Sequence, residues 1–306
     1  MGRVIEPLTR MGASILGRDG NRLPPLCIRG GALRGIRYEM PVASAQVKSS
    51  LLLAGLYADS PVTVVEPIRS RDHTERMLTA MGAGIVRDGN AVTVSPCGRL
   101  DPLDMTVPGD LSSAAFFLVL AAVTPGSSLT VHGVGVNRFR TGILDVLGRM
   151  GADIRRAGER FEGGEPVADL IVRGASLAAA SVAPEEVPGL VDEVPILCVA
   201  AAFAAGRTEI RGAGELRVKE SDRIAAMVAC LTSLGIPCGE YPDGLWVEGP
   251  AAVRPAGPCD SRGDHRIAMS LRILGAAAGV PVEVTDVDCI DTSFPGFQPA
   301  LDGLMR

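Results

Sequence analysis

Apolar residues along this 306-residue chain recur in two helical patterns and one extended pattern, alternating in a fixed order. The first helical pattern is amphipathic. In "SDRIAAMVACLTSLG", Ile224, Met227, Val228, Leu231 and Leu234 fall at helical spacing on one face. "RDHTERMLTAMG" and "RFRTGILDVLGRMG" repeat the pattern, each opened by charged residues, and each closes on a glycine that predicts a helix stop. Short β-rich runs follow: "AVTVSP", "ADLIVRG" and "GLWVEG". The second helical pattern is apolar on most sides, in "SSLLLAGLYADSPVTVVEP", "SSAAFFLVLAAVTPGSSLTVHGV", "VPILCVAAAFAAGRTEIRGAG" and "HRIAMSLRILGAAAGVPVEVTDV". Helices of this kind belong in the interior, and each runs through a turn into a Val- or Thr-rich strand.

Gly12, Gly82, Gly151 and Gly235, which end the phrases resembling "LTAMGA", lie 70, 69 and 84 residues apart. Two different signals recurring in one order predict a repeat: helix, strand, charged loop, helix, strands. Residues 1–40 then read as the tail of one unit. Three fuller units follow, and a partial one begins near Asp264. The proline-rich stretch "SPCGRLDPLDMTVPGD" (95–110) predicts a boundary between an incomplete first domain, 1–103, and a second, 104–306. The fold class expected is α+β.

Composition narrows the function. A net charge of −5 and a pI near 5.4 argue against general nucleic-acid binding, which needs a basic surface. The strongest apolar run, 114–123, is about half of the ~20 residues that span a bilayer. "MGRVIEPLTR" lacks the apolar segment of a secretory signal. Seven scattered cysteines without a CxxC fit free thiols in a reducing cytoplasm. Of 30 basic residues only Lys48 and Lys219 are lysines, either by chance or because a compact ammonium matters there.

Four loops carry candidate chemistry. In "ELRVKESDRIAAM", Lys219 and Arg223 share a face if the helix has begun, with Glu220 beside them. That is either an anion site with an adjacent acid or base, or a salt-bridged helix start. In "DSRGDHRIAM", Asp264 suits a helix cap, leaving His265 and Arg266 in the first turn, where Arg266 could grip a carboxylate or phosphate. In "MPVASAQVKSSLLLAG", Ser44 and Gln46 precede an apolar helix, either capping it or donating to an anion. In "VPGLVDEVPIL", Asp192 and Glu193 either cap a helix or supply a desolvated base. The three histidines, 73, 132 and 265, show no metal-ligand spacing, and no nucleotide-binding fingerprint occurs. A small polyanionic substrate and acid–base chemistry without metal or cofactor are the expectation.

Together "RVKESDRIAAM", "GDHRIAMSL", "VPGDLSSAAFFL", "SAQVKSSLLLAGL", "VPGLVDEVPIL" and "DTSFPGF" resemble the 5-enolpyruvylshikimate-3-phosphate (EPSP) synthase family, in its order and over essentially the whole chain. The resemblance implies a two-domain enolpyruvyl transferase fold built from βαβαββ units. It implies transfer of the enolpyruvyl group of phosphoenolpyruvate to the 5-hydroxyl of shikimate 3-phosphate, with release of phosphate, by a monomer in the full-length family. By motif, Ser44, Gln46, Ser70, Asp192 and Lys219 match contacts to shikimate 3-phosphate. Gln46, Arg223 and Arg266 match contacts to phosphoenolpyruvate, with His265 adjacent. Asp192 matches the proton acceptor and Glu220 the residue of proton transfer at the methylene carbon. His73 and Thr292, where one class of the family has tyrosine and lysine, resemble its second, less glyphosate-sensitive class. The family's early Lys-Ser and Arg contacts and its Gly-Asn-x-Gly-Thr loop have no counterpart, so an N-terminally truncated chain, inactive or nearly so, is expected. The alternatives are UDP-N-acetylglucosamine enolpyruvyl transfer and an inactive fragment of the shikimate enzyme.

Overall fold

The phrase ending in Met-Gly-Ala, or in Leu-Gly-Ile at 234–236, shapes the backbone in the same way wherever it occurs. In the computed structural model, which describes residues 1–255 and 257–305, four helices end in it: Gly2–Arg10, His73–Ala80, Gly142–Arg149 and Arg223–Ser233. Gly12, Gly82, Gly151 and Gly235 take φ of 104°, 85°, 93° and 78°, a region that costs any residue with a Cβ. Each glycine N–H bonds back to Thr9, Thr79, Gly148 or Thr232. The next N–H reaches the leucine five residues back: Ala13 to Leu8, Ala83 to Leu78, Ala152 to Leu147 and Ile236 to Leu231, at 2.9–3.0 Å. This paired closure is a Schellman motif, and it explains why leucine, glycine and an apolar residue recur at fixed offsets.

The chain divides into two compact units, Met1–Val107 with Phe161–Glu165, and Pro108–Arg160 with Pro166–Arg306. The units divide after Val107, four residues beyond the boundary expected after residue 103, at the end of the irregular 95–108 stretch. That the tip of a later hairpin groups with the first unit had no signal in the sequence.

In the first unit a four-stranded sheet runs in the order Arg37–Glu39, Val62–Val65, Ala91–Val94, Ile85–Asp88. The first pair is parallel and the others antiparallel. The helix Ala45–Gly55 joins the parallel pair and His73–Ala80 precedes the hairpin, giving one βαβαββ unit. Val62, Val64, Val92 and Val94 face inward against Leu51 and Leu52. Ahead of it, Ser14–Gly17 and Leu23–Arg29 form an antiparallel ribbon with Leu16 and Ile28 exposed.

The second unit repeats the topology. Ser181–Val182, Gly206–Ile210, Gly244–Gly249 and Cys238–Tyr241 pair in the same order and senses, around the helices Val194–Phe203 and Arg223–Ser233. Before it, Ser128–Gly135, Glu165–Arg173 and Asp153–Glu162 form a sheet in which the first strand shrinks to one parallel bridge, Gly109 with Val134. A last partial unit pairs Cys259–Asp260 with Val284–Thr285, linked by the helix His265–Ala278.

Three of the four predicted interior helices are interior; Ala45–Gly55 is buried on one face only, with Leu53 49% exposed on the other. Leu111–Val123 is buried at every residue except Ser113, and packs with Val194–Phe203 and His265–Ala278. Alanines of these three helices, among them Ala115, Ala122, Ala200, Ala201 and Ala268, are buried in the core they share, where small side chains permit close packing. Phe294 and Phe297 of "DTSFPGF" pin the C-terminal segment there, edge-on to Phe117 and Phe116 at 6.0 and 5.9 Å. No helix of the described residues is long and apolar enough to cross a membrane.

Candidate active site

The second unit gathers its charged loops around one side chain, Arg223. Only 1% of it is exposed, and it opens the helix Arg223–Ser233 one residue after the cap Asp222, which accepts from the Ala225 N–H at 3.0 Å. Its guanidinium reaches three carboxylates in three directions. Nε donates to Asp264 Oδ2 at 2.8 Å, Nη2 to Glu220 Oε2 at 2.6 Å and Nη1 to Asp192 Oδ1 at 3.4 Å. A planar fork with donors on several edges can do this; an ammonium on a flexible stem cannot hold all three at fixed angles.

Lys219 does not reach the group along a helix face, as the four-residue spacing to Arg223 allowed. The 3-10 turn Gly214–Val218 ends before it and the helix begins after it, so Lys219 is extended. The loop swings its ammonium to 3.7 Å from Asp192 Oδ1 and 3.2 Å from Glu215. Asp192 and Glu193 do not cap the following helix either. They sit in a 3-10 turn with no side-chain cap bond. Asp192 turns toward Lys219 and Arg223, whereas Glu193 is buried and accepts from the Ser112 hydroxyl. Arg140 supports that serine, donating to its Oγ at 2.5 Å and to Asp110 at 2.8 Å. Burial pushes the Glu193 carboxyl up, against the Ser112 hydrogen bond and the charges of Arg140 and Arg266.

Asp264 does cap its helix, accepting from the Arg266 N–H at 3.0 Å, and its other oxygen takes Arg223 and, at 3.1 Å, the Ser221 hydroxyl. Burial works to raise this carboxyl, but the Arg223 bond and charge outweigh it and hold it below the usual range. His265, in the first turn, is lowered by burial and then by the neighbouring Arg266 and Arg223 charges. Arg266 donates to the Asp192 carbonyl at 3.0 Å and lies 3.7 Å from Glu193. The predicted residues Asp192, Lys219, Glu220, Arg223, His265 and Arg266 therefore fall in one cluster. Its hub is buried, and its rim carboxylates, Asp192 and Glu220, retain 20% and 54% side-chain exposure.

In the first unit, Ser44 caps the helix Ala45–Gly55, accepting from the Val47 N–H at 3.4 Å. Gln46, in the first turn, lines an open cavity of about 460 Å³ with Ser49, Arg71, His73 and Thr74. Ser70 lies next to Arg71 and is tied to Glu66 through its N–H, at 3.0 Å, and its hydroxyl. Arg71 in this cavity, and Arg140 and Ser112 behind Glu193, were not among the residues singled out by sequence. Arg71 directly follows Ser70 and was legible as a cation there; the Arg140 contact joins residues far apart in the chain and had no signal.

Residues 1–301 match the family described as EPSP synthase (3-phosphoshikimate 1-carboxyvinyltransferase). The chain belongs to the EPSP synthase family. The 3-phosphoshikimate 1-carboxyvinyltransferase of Desulforudis audaxviator is 54% identical over 304 residues, 99% of this chain and 71% of that protein. That of Geobacter sulfurreducens is 53% identical over 302 residues, 99% of this chain and 70% of its own. Among solved structures, EPSP synthase from Acinetobacter baumannii superposes with a TM-score of 0.91 at 42% identity, covering 99% of this chain and 70% of that one. The enolpyruvyl transferase NikO from Streptomyces tendae, at 19% identity and a TM-score of 0.78, shares the fold. The enolpyruvyl transferase fold explains the repeated βαβαββ unit, and the family is one of enzymes.

Proposed function

We propose that this chain transfers the enolpyruvyl group of phosphoenolpyruvate to the 5-hydroxyl of shikimate 3-phosphate and releases inorganic phosphate. Membership of the EPSP synthase family supports the reaction. The observation that carries the division of labour is one buried guanidinium, Arg223, reaching two rim carboxylates, Asp192 and Glu220, with Lys219 against the first. Adding an alcohol to an enol ether requires the hydroxyl to lose a proton while the methylene carbon gains one, so a base and an acid must flank the reacting carbon.

Asp192 takes the proton of the 5-hydroxyl as the new C–O bond forms. Glu220 supplies a proton to the methylene carbon, giving a tetrahedral adduct with a methyl group. Loss of a proton from that methyl and cleavage of the C–O bond to phosphate then restore the double bond. Arg223 and Arg266 hold the anionic groups of phosphoenolpyruvate, with His265 beside them and Gln46 also in contact. Ser44, Gln46, Ser70 and Lys219 hold shikimate 3-phosphate. Fixed cations suit an adduct that keeps the anionic groups of both substrates. Every step is proton transfer or C–O chemistry, and none is assigned to a metal or cofactor. We place the enzyme in the cytoplasm as a monomer, where its free thiols suit a reducing compartment.

Purified protein given phosphoenolpyruvate is expected to release phosphate in proportion to added shikimate 3-phosphate. Asp192→Asn should lower kcat by about 10²–10⁴-fold, the usual contribution of a positioned base. Release that depends on UDP-N-acetylglucosamine instead, or no release with either acceptor, would overturn the reading.

A further inference from the structure

Lys48, one of the two lysines in the chain, is wholly buried. Its ammonium lies 2.8 Å from Glu75 Oε1, 3.0 Å from Glu66 Oε2 and 3.5 Å from the Ser70 carbonyl oxygen. Arg87 completes the group, 2.6 Å from Glu75 Oε1 and 3.7 Å from Glu66 Oε2. Three buried charges, Lys48, Glu66 and Glu75, with the partly exposed Arg87 at their edge, are commonly no more stabilising than apolar side chains of equal volume, because desolvation offsets the attraction. Here Glu75 Oε2 is also buried without a hydrogen-bond partner among the described residues. Stability is therefore a poor account of why the group is charged.

Its geometry suggests another. Lys48 comes from the helix that carries Gln46, Glu66 follows the strand Val62–Val65, Glu75 comes from the helix that begins at His73, and Arg87 from Ile85–Asp88. The Lys48 ammonium ties the first three together at fixed distances. Glu66 Oε1, the oxygen not facing Lys48, holds both the N–H and the hydroxyl of Ser70. An anion that claims the hydroxyl must take it from Glu66. The N–H bond and the Lys48 contact then keep the Ser70 backbone in place and the carboxylate compensated.

We propose that Lys48 and Glu66 are positioning residues that set Ser70 and the adjoining turn for the phosphate group of the acceptor substrate. The inference rests on the proposed function, which assigns Ser70 to shikimate 3-phosphate. It is tested by titrating shikimate 3-phosphate into wild-type protein, Glu66→Gln, Ser70→Ala and the double variant, with melting temperatures measured alongside. Glu66→Gln is expected to weaken binding about tenfold, as loss of a hydrogen bond to a charged group does. In the Ser70→Ala background the same change should cost no more than threefold, because the two residues act on one group. A merely structural Glu66 would lower the melting temperature without that dependence on Ser70. Lys48→Arg keeps the charge but puts a larger, planar group into a wholly buried site filled by a compact ammonium, and should weaken binding at least threefold.

Wild-type affinity in both folded single variants at Glu66 and Lys48, or losses that multiply in the double variant, would overturn the inference alone. Wild-type protein that binds UDP-N-acetylglucosamine and not shikimate 3-phosphate would overturn the proposed function, and this inference with it.

Discussion

Replacing Arg223 with methionine tests whether the second unit is organised as described. Methionine approximates the length of the arginine stem but removes every donor. Glu220 is more than half exposed, so losing its ion pair changes stability by less than about 1 kcal/mol. Asp264 decides the outcome. It is fully buried, and without Arg223 it keeps only the Ser221 hydroxyl and the Arg266 N–H. Removing one partner of a buried ion pair costs about 3–5 kcal/mol, most of it from the charge left behind. For a unit of this size that corresponds to a fall in Tm of about 6–20 °C.

The cost should depend on pH with a definite sign. Asp264 is depressed in the native wild type, so its contribution is present above the unfolded carboxylate value, about 3.9, and is lost as pH falls through the lower native value. In Arg223→Met burial is no longer opposed by the guanidinium and raises the unpaired carboxyl above its unfolded value, so the gap to wild type should narrow as pH falls through that raised value and go on narrowing down to the depressed wild-type one. Adding Asp264→Asn, which keeps the cap acceptor, should restore at least about 2 kcal/mol to Arg223→Met in a double-mutant cycle. Chemical denaturation at pH 7 and thermal melts from pH 3 to 8 measure both. A loss below about 1 kcal/mol, or a double variant no more stable than Arg223→Met, would refute the hub.

Two further outcomes are expected. Gly82→Ala should destabilise the first unit by about 1–2 kcal/mol, because Gly82 has φ of 85°, whereas Gly148→Ala, in a helix with open space at the Cβ, should be stabilising by about 0.5–1 kcal/mol; equal effects in urea melts would discard the helix-stop argument. Glu193→Gln should gain on wild type as pH rises above about 4.3: burial raises the native carboxyl, so its contribution is full below the unfolded value and lost as pH climbs through the raised one. A gap between the two Tm curves that stays constant from pH 4 to 8 would contradict that.

Much of the site was legible because its motifs are local. "KESDR" and "DHR" name Lys219, Glu220, Arg223, His265 and Arg266, and each stands within a few residues of a helix start that the apolar pattern locates. Local reasoning misjudged how they meet. Spacing allowed Lys219 and Arg223 to share a helix face, but the helix starts at Arg223, and the two converge on Asp192 from different backbone conformations. Asp192 and Glu193 looked like caps because they precede an apolar helix, yet their side chains are claimed by Lys219, Arg223 and Ser112.

By itself the sequence determined what depends on neighbours along the chain. It set where helices stop, since only glycine sits cheaply at positive φ, and which helices are interior, since a helix apolar on all sides has no face for water. It also set the recurrence of one unit, seen again in two sheets of the same strand order. Only the tertiary structure decided which charges are buried and what they touch. Lys48 reads in sequence as a polar residue early in a helix, and becomes buried because Glu66, Glu75 and the Ser70 carbonyl, 18 to 27 positions away, arrive around it. Burial and pairing of charge depend on distances through space, and spacing along the chain does not encode them.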